Sequence, residues 1–222
     1  MGSGWARPDD EPARHDLRAT TCVPYPLIAD QGDSAACVAH AFAAALYCSR
    51  ALHDDMRCNP YPRVGALFAR ALRASSSPAA GLSFASVARV LQEEAAELGC
   101  RSQALPNDAA AVRAALRAGA AVVLGYQVNE AIDRFHISGF ARRDAGFVMP
   151  SFGEDPRAVS SHAVLLVGYD MRPRCFVVRN SWGPRWGVDG HCWLRFRDLE
   201  DRRFATDLAR LVCSGRPRQR CG

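Results

Sequence analysis

The chain has 222 residues, a net charge of +5 and 49% hydrophobic residues, a composition that supports a full globular core and argues against disorder. Its longest apolar runs, such as 118–126, fall far short of the roughly 20 residues a membrane-spanning helix needs. The 28 basic residues are all arginine and are scattered, without the basic stripe and interleaved aromatics of a nucleic-acid reader.

Residues 1–14, with Gly2, Gly4, Pro8 and Pro12 among charges, read as a short N-terminal extension. They lack the charged-then-apolar pattern of a secretory signal, so a soluble protein that stays inside the cell or is packaged in a particle is expected; a monomer is expected as well. Pro24 and Pro26 make 19–29 extended. From Cys37 an almost unbroken apolar run through Tyr47, rich in alanine, predicts a helix apolar on nearly all sides and therefore buried. A turn follows at 59–62, then Val64, Leu67, Phe68, Ala71 and Leu72 recur at helical spacing. After a loop at 75–81 an amphipathic helix turns Phe84, Val87, Val90, Leu91 and Leu98 inward and stops at Gly99. A further helix starts at Asn107 or Asp108 and ends at Gly119. Beyond it, 121–128, 146–149, 162–169, 175–179, 191–196 and 207–213 are short, rich in Val, Leu and aromatics, and read as strands. Helices first and strands second predict an α+β fold, with 15–118 as a helical half and 119–222 as a β half.

Cys37 falls at the first turn of the buried helix, where unpaired backbone N–H groups favour negative charge. A thiol of ordinary pKa about 8.5 drops there if a histidinium lies nearby, which suits a nucleophile. Taken alone, a cysteine before a helix is more often a small buried hydrophobe. The remaining motifs tip the balance. Residues 161–169, Ser-His-Ala-Val-Leu-Leu-Val-Gly-Tyr, put His162 at the start of one predicted strand. Residues 177–183, Val-Val-Arg-Asn-Ser-Trp-Gly, put Asn180 at the end of another.

Gln31-Gly32 before Cys37, then the His162 block, then Asn180-Ser181-Trp182-Gly183 with Trp186-Gly187 and Gly190 behind it, follow the order of the papain family of cysteine peptidases. The chain resembles that family from about residue 15 to residue 213. Asp30-Gln31-Gly32, Val148-Met149-Pro150 and Val178–Gly183 match most closely its short, xylellain-like branch, which lacks a long prosegment. The resemblance implies a papain-like fold in which a helical half bearing the cysteine faces a β-barrel half bearing the histidine, with a cleft between. It implies a cysteine endopeptidase that needs no cofactor and acts on a protein or peptide. Cys37 then matches the nucleophile, His162 its proton partner, Asn180 the residue that orients the imidazole, and Trp182 the ring that shields that contact. Gln31 matches the oxyanion-hole glutamine. For substrate binding the resemblance points to Gly81, to Leu124 with Tyr126, and to Ala163, with an apolar or aromatic residue preferred two places before the cut. Fourteen residues are too few for an independent helical cap, so activity without propeptide removal is expected, with Trp5 as a possible anchor of the segment in the cleft.

The chain also departs from the family. The usual Cys-Gly-Ser-Cys-Trp is Ser34-Ala35-Ala36-Cys37-Val38, in which Ala35 adds a methyl beside the cleft, and His191 replaces a tyrosine as a packing residue. These changes leave open a catalytically silent papain-like fold that only binds. An isopeptidase or transglutaminase-like enzyme is a third reading, against which the Asn-Ser-Trp-Gly block argues. The nine cysteines allow four disulfides once Cys37 is set aside, but without a signal peptide free thiols are expected. No C-x-x-C pair suggests a metal site. His40, one turn beyond Cys37, reads as a hydrogen-bonded core residue, and His15, His53 and His136 as surface groups.

Overall fold

A computed structural model describes residues 11–20, 27–51, 69–71, 73, 83–97, 100–142, 144, 146–153 and 157–213. Its organising pair is β3 (Val122–Val128) and β4 (Ser160–Asp170). Both strands are almost wholly buried, and their Val- and Leu-rich sequences suit a sheet covered on both faces. They run antiparallel, with Tyr126 opposite His162. Around them a seven-stranded sheet has the order β2-β7-β3-β4-β5-β6. Here β2 is Cys100–Ala104, β5 Cys175–Arg179, β6 His191–Arg195 and β7 Ala205–Cys213. A short strand β1 (Arg14–Asp16) pairs with the far end of β4. There a Cβ on Gly168 would lie 2.6 Å from the carbonyl oxygen of His15, so the close approach of β1 depends on that glycine. Helix α1 (Leu17–Thr20) follows β1 directly.

The long helix α2 (Cys37–Ala51) lies against β4, β7 and β3. Its buried alanines at 39, 41, 43, 44 and 45 let the helix approach the sheet closely, and Phe42 projects to meet Phe84 of α3 (Phe84–Glu97) with ring centroids 4.9 Å apart. Helix and sheet residues form one continuous core. The helix α4 (Ala109–Arg117) starts where Asp108 accepts a hydrogen bond from the Ala110 N–H (2.9 Å), settling the choice left between Asn107 and Asp108.

Several elements differ from the pattern read in the sequence. β2 belongs to the sheet, pairing with β7, although it falls in the stretch expected to be helical. Two helices interrupt the strand-rich stretch: α5 (Glu130–Ser138), capped by Asn129 accepting from the Ile132 N–H (3.0 Å), and α6 (Phe196–Glu200). Residues 146–149 make only a bridge from Val148 to Trp193, because a turn closed by the Phe147 N–H on the Asp144 carbonyl (3.2 Å) runs into them and Pro150 follows. Residues 11–14, expected to be part of a short N-terminal extension, are pinned. Glu11 bonds Arg113 (2.7 Å) and Arg117 (2.5 Å), and the Met171 N–H donates to the Ala13 carbonyl. Cys100 is disulfide-bonded, contrary to the expected free thiol, whereas Cys37, Cys175 and Cys192 are free. Among the described residues no helix is long and apolar enough to cross a membrane. The helix expected around 64–72, His53, Gly81 and Trp5 lie in large part or wholly outside the described residues.

Candidate active site

Cys37 opens α2, and the loop before it is fixed by short-range bonds. Gly32 sits at φ +54°, and its N–H donates to Asp30 Oδ1 (3.0 Å). The Ser34 hydroxyl donates to the Gln31 carbonyl (2.6 Å). Gln31 then ties this loop to the segment after β5. Its backbone N–H donates to the Ser181 carbonyl (2.8 Å), and its Oε1 accepts from the Ser181 hydroxyl (2.6 Å). Gln31 Nε2 donates to the Ser34 carbonyl (2.8 Å), which leaves its second N–H available.

His162 is 7% exposed and held on three sides. Nε2 lies 2.9 Å from Asn180 Oδ1, which also accepts from the Ser181 N–H (2.8 Å). Because that oxygen is an acceptor, the imidazole proton sits on Nε2, and Nδ1 is the basic nitrogen of the neutral ring. Trp182 stacks on the imidazole at 4.5 Å and 21°, and Tyr126 meets it edge-on at 5.7 Å. Cys37, His162, Ala163 and Gln31 line one cavity of about 400 Å³. Asn180 and Trp182 join them at the back and flank of His162, so Cys37, His162, Asn180, Gln31, Ala163 and Trp182 converge on one place.

The electrostatics run against one expectation. Burial pushes the Cys37 thiol up, opposed by the backbone N–H groups of Ala163, Val38 and Cys37 itself. Burial likewise lowers His162 to about 4, with the Asn180 bond opposing. Each group alone therefore favours its neutral form, because a lone charge there loses its hydration.

Leu124 does not line the cavity. It is fully buried, while its neighbours Gly125 and Tyr126 contribute to the lining. Side chains alternate along a strand, and Leu124 falls on the core side. Ala35 does line it.

A family profile described as papain family cysteine protease matches residues 92–205. The chain belongs to the papain family. This papain-family chain is 30% identical over 98 residues to an uncharacterized peptidase C1-like protein of Acanthamoeba polyphaga mimivirus. The match covers 44% of the chain and 29% of that relative's length. Among solved structures it resembles xylellain, a cysteine protease from Xylella fastidiosa, with a TM-score of 0.74 and 20% identity over 92% of this chain and 87% of that one. Procathepsin L 3 of Tenebrio molitor larval midgut gives 0.64 and 14% over 91% and 70%. A Carica candamarcensis cysteine protease in complex with E-64 gives 0.61 and 14% over 92% and 99%. These likenesses establish the papain-like α+β fold.

Three histidines of this papain-family chain differ from expectation. His136, read as a surface group, is 7% exposed. Its Nε2 lies 2.9 Å from the Tyr126 hydroxyl, and its ring meets those of His162 (5.5 Å) and Trp182 (4.8 Å). Its carbonyl accepts from Trp186 Nε1 (2.9 Å), an approach that requires Gly139, where a Cβ would lie 2.2 Å from that nitrogen. His40, read as a hydrogen-bonded core residue, is only half-buried, and its Nδ1 is sealed from solvent without a hydrogen-bond partner among the described residues. His15 is half-buried rather than exposed, stacking on Tyr169 at 6.0 Å. His191 is buried, and its Nδ1 bonds the Asp189 carbonyl (2.7 Å).

Proposed function

We propose that the chain is a cysteine endopeptidase that hydrolyses peptide bonds through an acyl-enzyme on Cys37. The observation that carries this reading is the state of His162. Asn180 takes Nε2–H and Trp182 stacks on the ring, so Nδ1 is the basic nitrogen, and the same residue lines a cavity with a free cysteine.

The Cys37 thiol passes its proton to His162 Nδ1. Burial disfavours either charge alone, but this transfer makes two opposite charges side by side, so the pair titrates as a unit. The sulfur attacks the substrate carbonyl carbon. Charge developing on the carbonyl oxygen is met by the Cys37 backbone N–H and the second N–H of Gln31 Nε2. As the tetrahedral species collapses, His162 gives its proton to the leaving amine, leaving a thioester on Cys37. Water then attacks the thioester, with His162 taking its proton and returning one to the sulfur. In this scheme the cysteine comes from 15–118 and the histidine and asparagine from 119–222, so the cleft joins the two halves.

Titration with an epoxysuccinyl inhibitor tests the reading. One molecule bound per chain, on Cys37, with parallel loss of peptide cleavage is expected. A folded protein that neither labels nor cleaves is a silent binding fold.

A further inference from the structure

Beside the Cys37 cavity lies a second, of about 510 Å³, lined by His162 and Trp182 but not by Cys37. In the reaction proposed above, the acyl part of the substrate stays on Cys37, and the amine protonated by His162 departs. The second cavity is therefore the place for the chain on the leaving-group side. His136 lines it too, together with the carboxylates of Asp30, Asp33 and Asp133.

Tyr126 is 1% exposed, and His136 Nε2 is the one hydrogen-bond partner of its hydroxyl among the described residues. A buried O–H left without an acceptor costs more than an acceptor left partly used, so Tyr126 donates to Nε2. A neutral imidazole has one proton, which this bond places on Nδ1. That nitrogen makes no protein hydrogen bond among the described residues and, unlike Nδ1 of His40, is not sealed from solvent. Burial and the neighbouring His162 lower His136 to about 3, so it stays neutral while His162 cycles its proton.

We infer that Tyr126 locks His136 in the tautomer that presents an Nδ1–H to the leaving-group side of the cleft, where it donates a hydrogen bond to a backbone carbonyl of the substrate. The inference rests on the peptidase reading and adds a substrate-positioning residue to it. The three aspartates decide which acceptor is meant. A terminal carboxylate would sit among like charges, whereas a neutral peptide carbonyl meets no such repulsion.

The test compares two substrates with the same acyl side. One ends in an aminocoumarin amide, which has no peptide beyond the cut, and the other is an internally quenched peptide extending three residues past it. The quantity read is the ratio of kcat/KM, extended over coumarin, for the unmodified protein and for His136→Phe, His136→Gln and Tyr126→Phe. Loss of one neutral hydrogen bond predicts a fall in the ratio of roughly 3- to 10-fold for His136→Phe. A smaller fall is expected for His136→Gln, which keeps an N–H donor, and a few-fold fall for Tyr126→Phe, which releases the tautomer. The extended substrate ending in an amide should be cleaved faster than the same peptide ending in a free carboxylate. An unchanged ratio in both His136→Phe and Tyr126→Phe overturns the inference, since it leaves the pair a packing role. A preference for the free carboxylate overturns it as well. If the unmodified protein cleaves neither substrate, the peptidase reading falls and this inference with it. Cleavage of both with no change in ratio removes the inference alone.

Discussion

Replacing Asn180 with alanine isolates the contact that gives His162 its tautomer. The substitution removes the 2.9 Å bond from Nε2 to Oδ1 and frees the Ser181 N–H that the same oxygen accepts at 2.8 Å. In the reaction the imidazole becomes charged, so the lost bond is of the charge-assisted kind, about 1.5–3 kcal/mol. At about 1.36 kcal/mol per decade this is roughly 10- to 150-fold in rate. Trp182 still stacks on the ring at 4.5 Å and limits its rotation, which favours the lower half of that range, on the order of 10- to 50-fold. Asn180 does not line the cavity with Cys37, so the loss should fall on kcat more than on KM. The Asn180 bond also opposes the burial that lowers His162, so the variant's imidazole should be a weaker base still. Steady-state kinetics on a fluorogenic peptide measure this, with Asn180→Asp as comparator because it keeps the acceptor oxygen. Asn180→Ala within twofold of the unmodified protein, or Asn180→Asp as impaired as Asn180→Ala, refutes the orienting role.

Removing the imidazole with His162→Ala leaves a lone buried thiol, which burial holds up. The pH profile of iodoacetamide alkylation at Cys37 should then move to or above that of an ordinary thiol, and an unchanged profile refutes the proton pair. His136, His162 and His191 are lowered by burial to about 3, about 4 and about 4, against an unfolded value of 6.5. The unfolded chain thus binds protons first, and the stability these groups contribute is present above pH 6.5 and lost as pH falls toward 4. Urea midpoints should drop between pH 7 and pH 5, and a flat midpoint contradicts the burial of these rings. Gly139→Ala drives a methyl into Trp186 and should cost about 1–3 kcal/mol by overpacking, read from urea unfolding. A neutral result there means that Trp186 does not hold α5 as described.

What was legible in the sequence was whatever depended on local pattern. The alanine-rich stretch after Cys37 read as a buried helix, and the apolar runs at 121–128, 162–169 and 175–179 read as strands by composition, where the structure has β3, β4 and β5. The motif residues Cys37, His162, Asn180 and Gln31 were legible because their family order is specific. β2 was not, since Cys-Arg-Ser-Gln-Ala is an edge strand with little apolar signal, and its partner lies more than a hundred residues away. α5 was masked by the strands on either side, although Asn129 before an acidic first turn was an available cap signal. Leu124 was misplaced by one residue of strand alternation, which exchanges the cleft face for the core face. His136 was out of reach because its meaning comes from Tyr126, which β3–β4 pairing sets opposite His162 and to which the turn between β3 and α5 brings His136 back.

Acid-quench mass spectrometry during turnover of a slowly hydrolysed peptide ester tests the covalent intermediate most directly. The account predicts a mass increase equal to the acyl group, on the peptide that contains Cys37, rising and falling with product formation. Product released with no such adduct, or an adduct on Cys48, Cys175 or Cys192 instead, contradicts it.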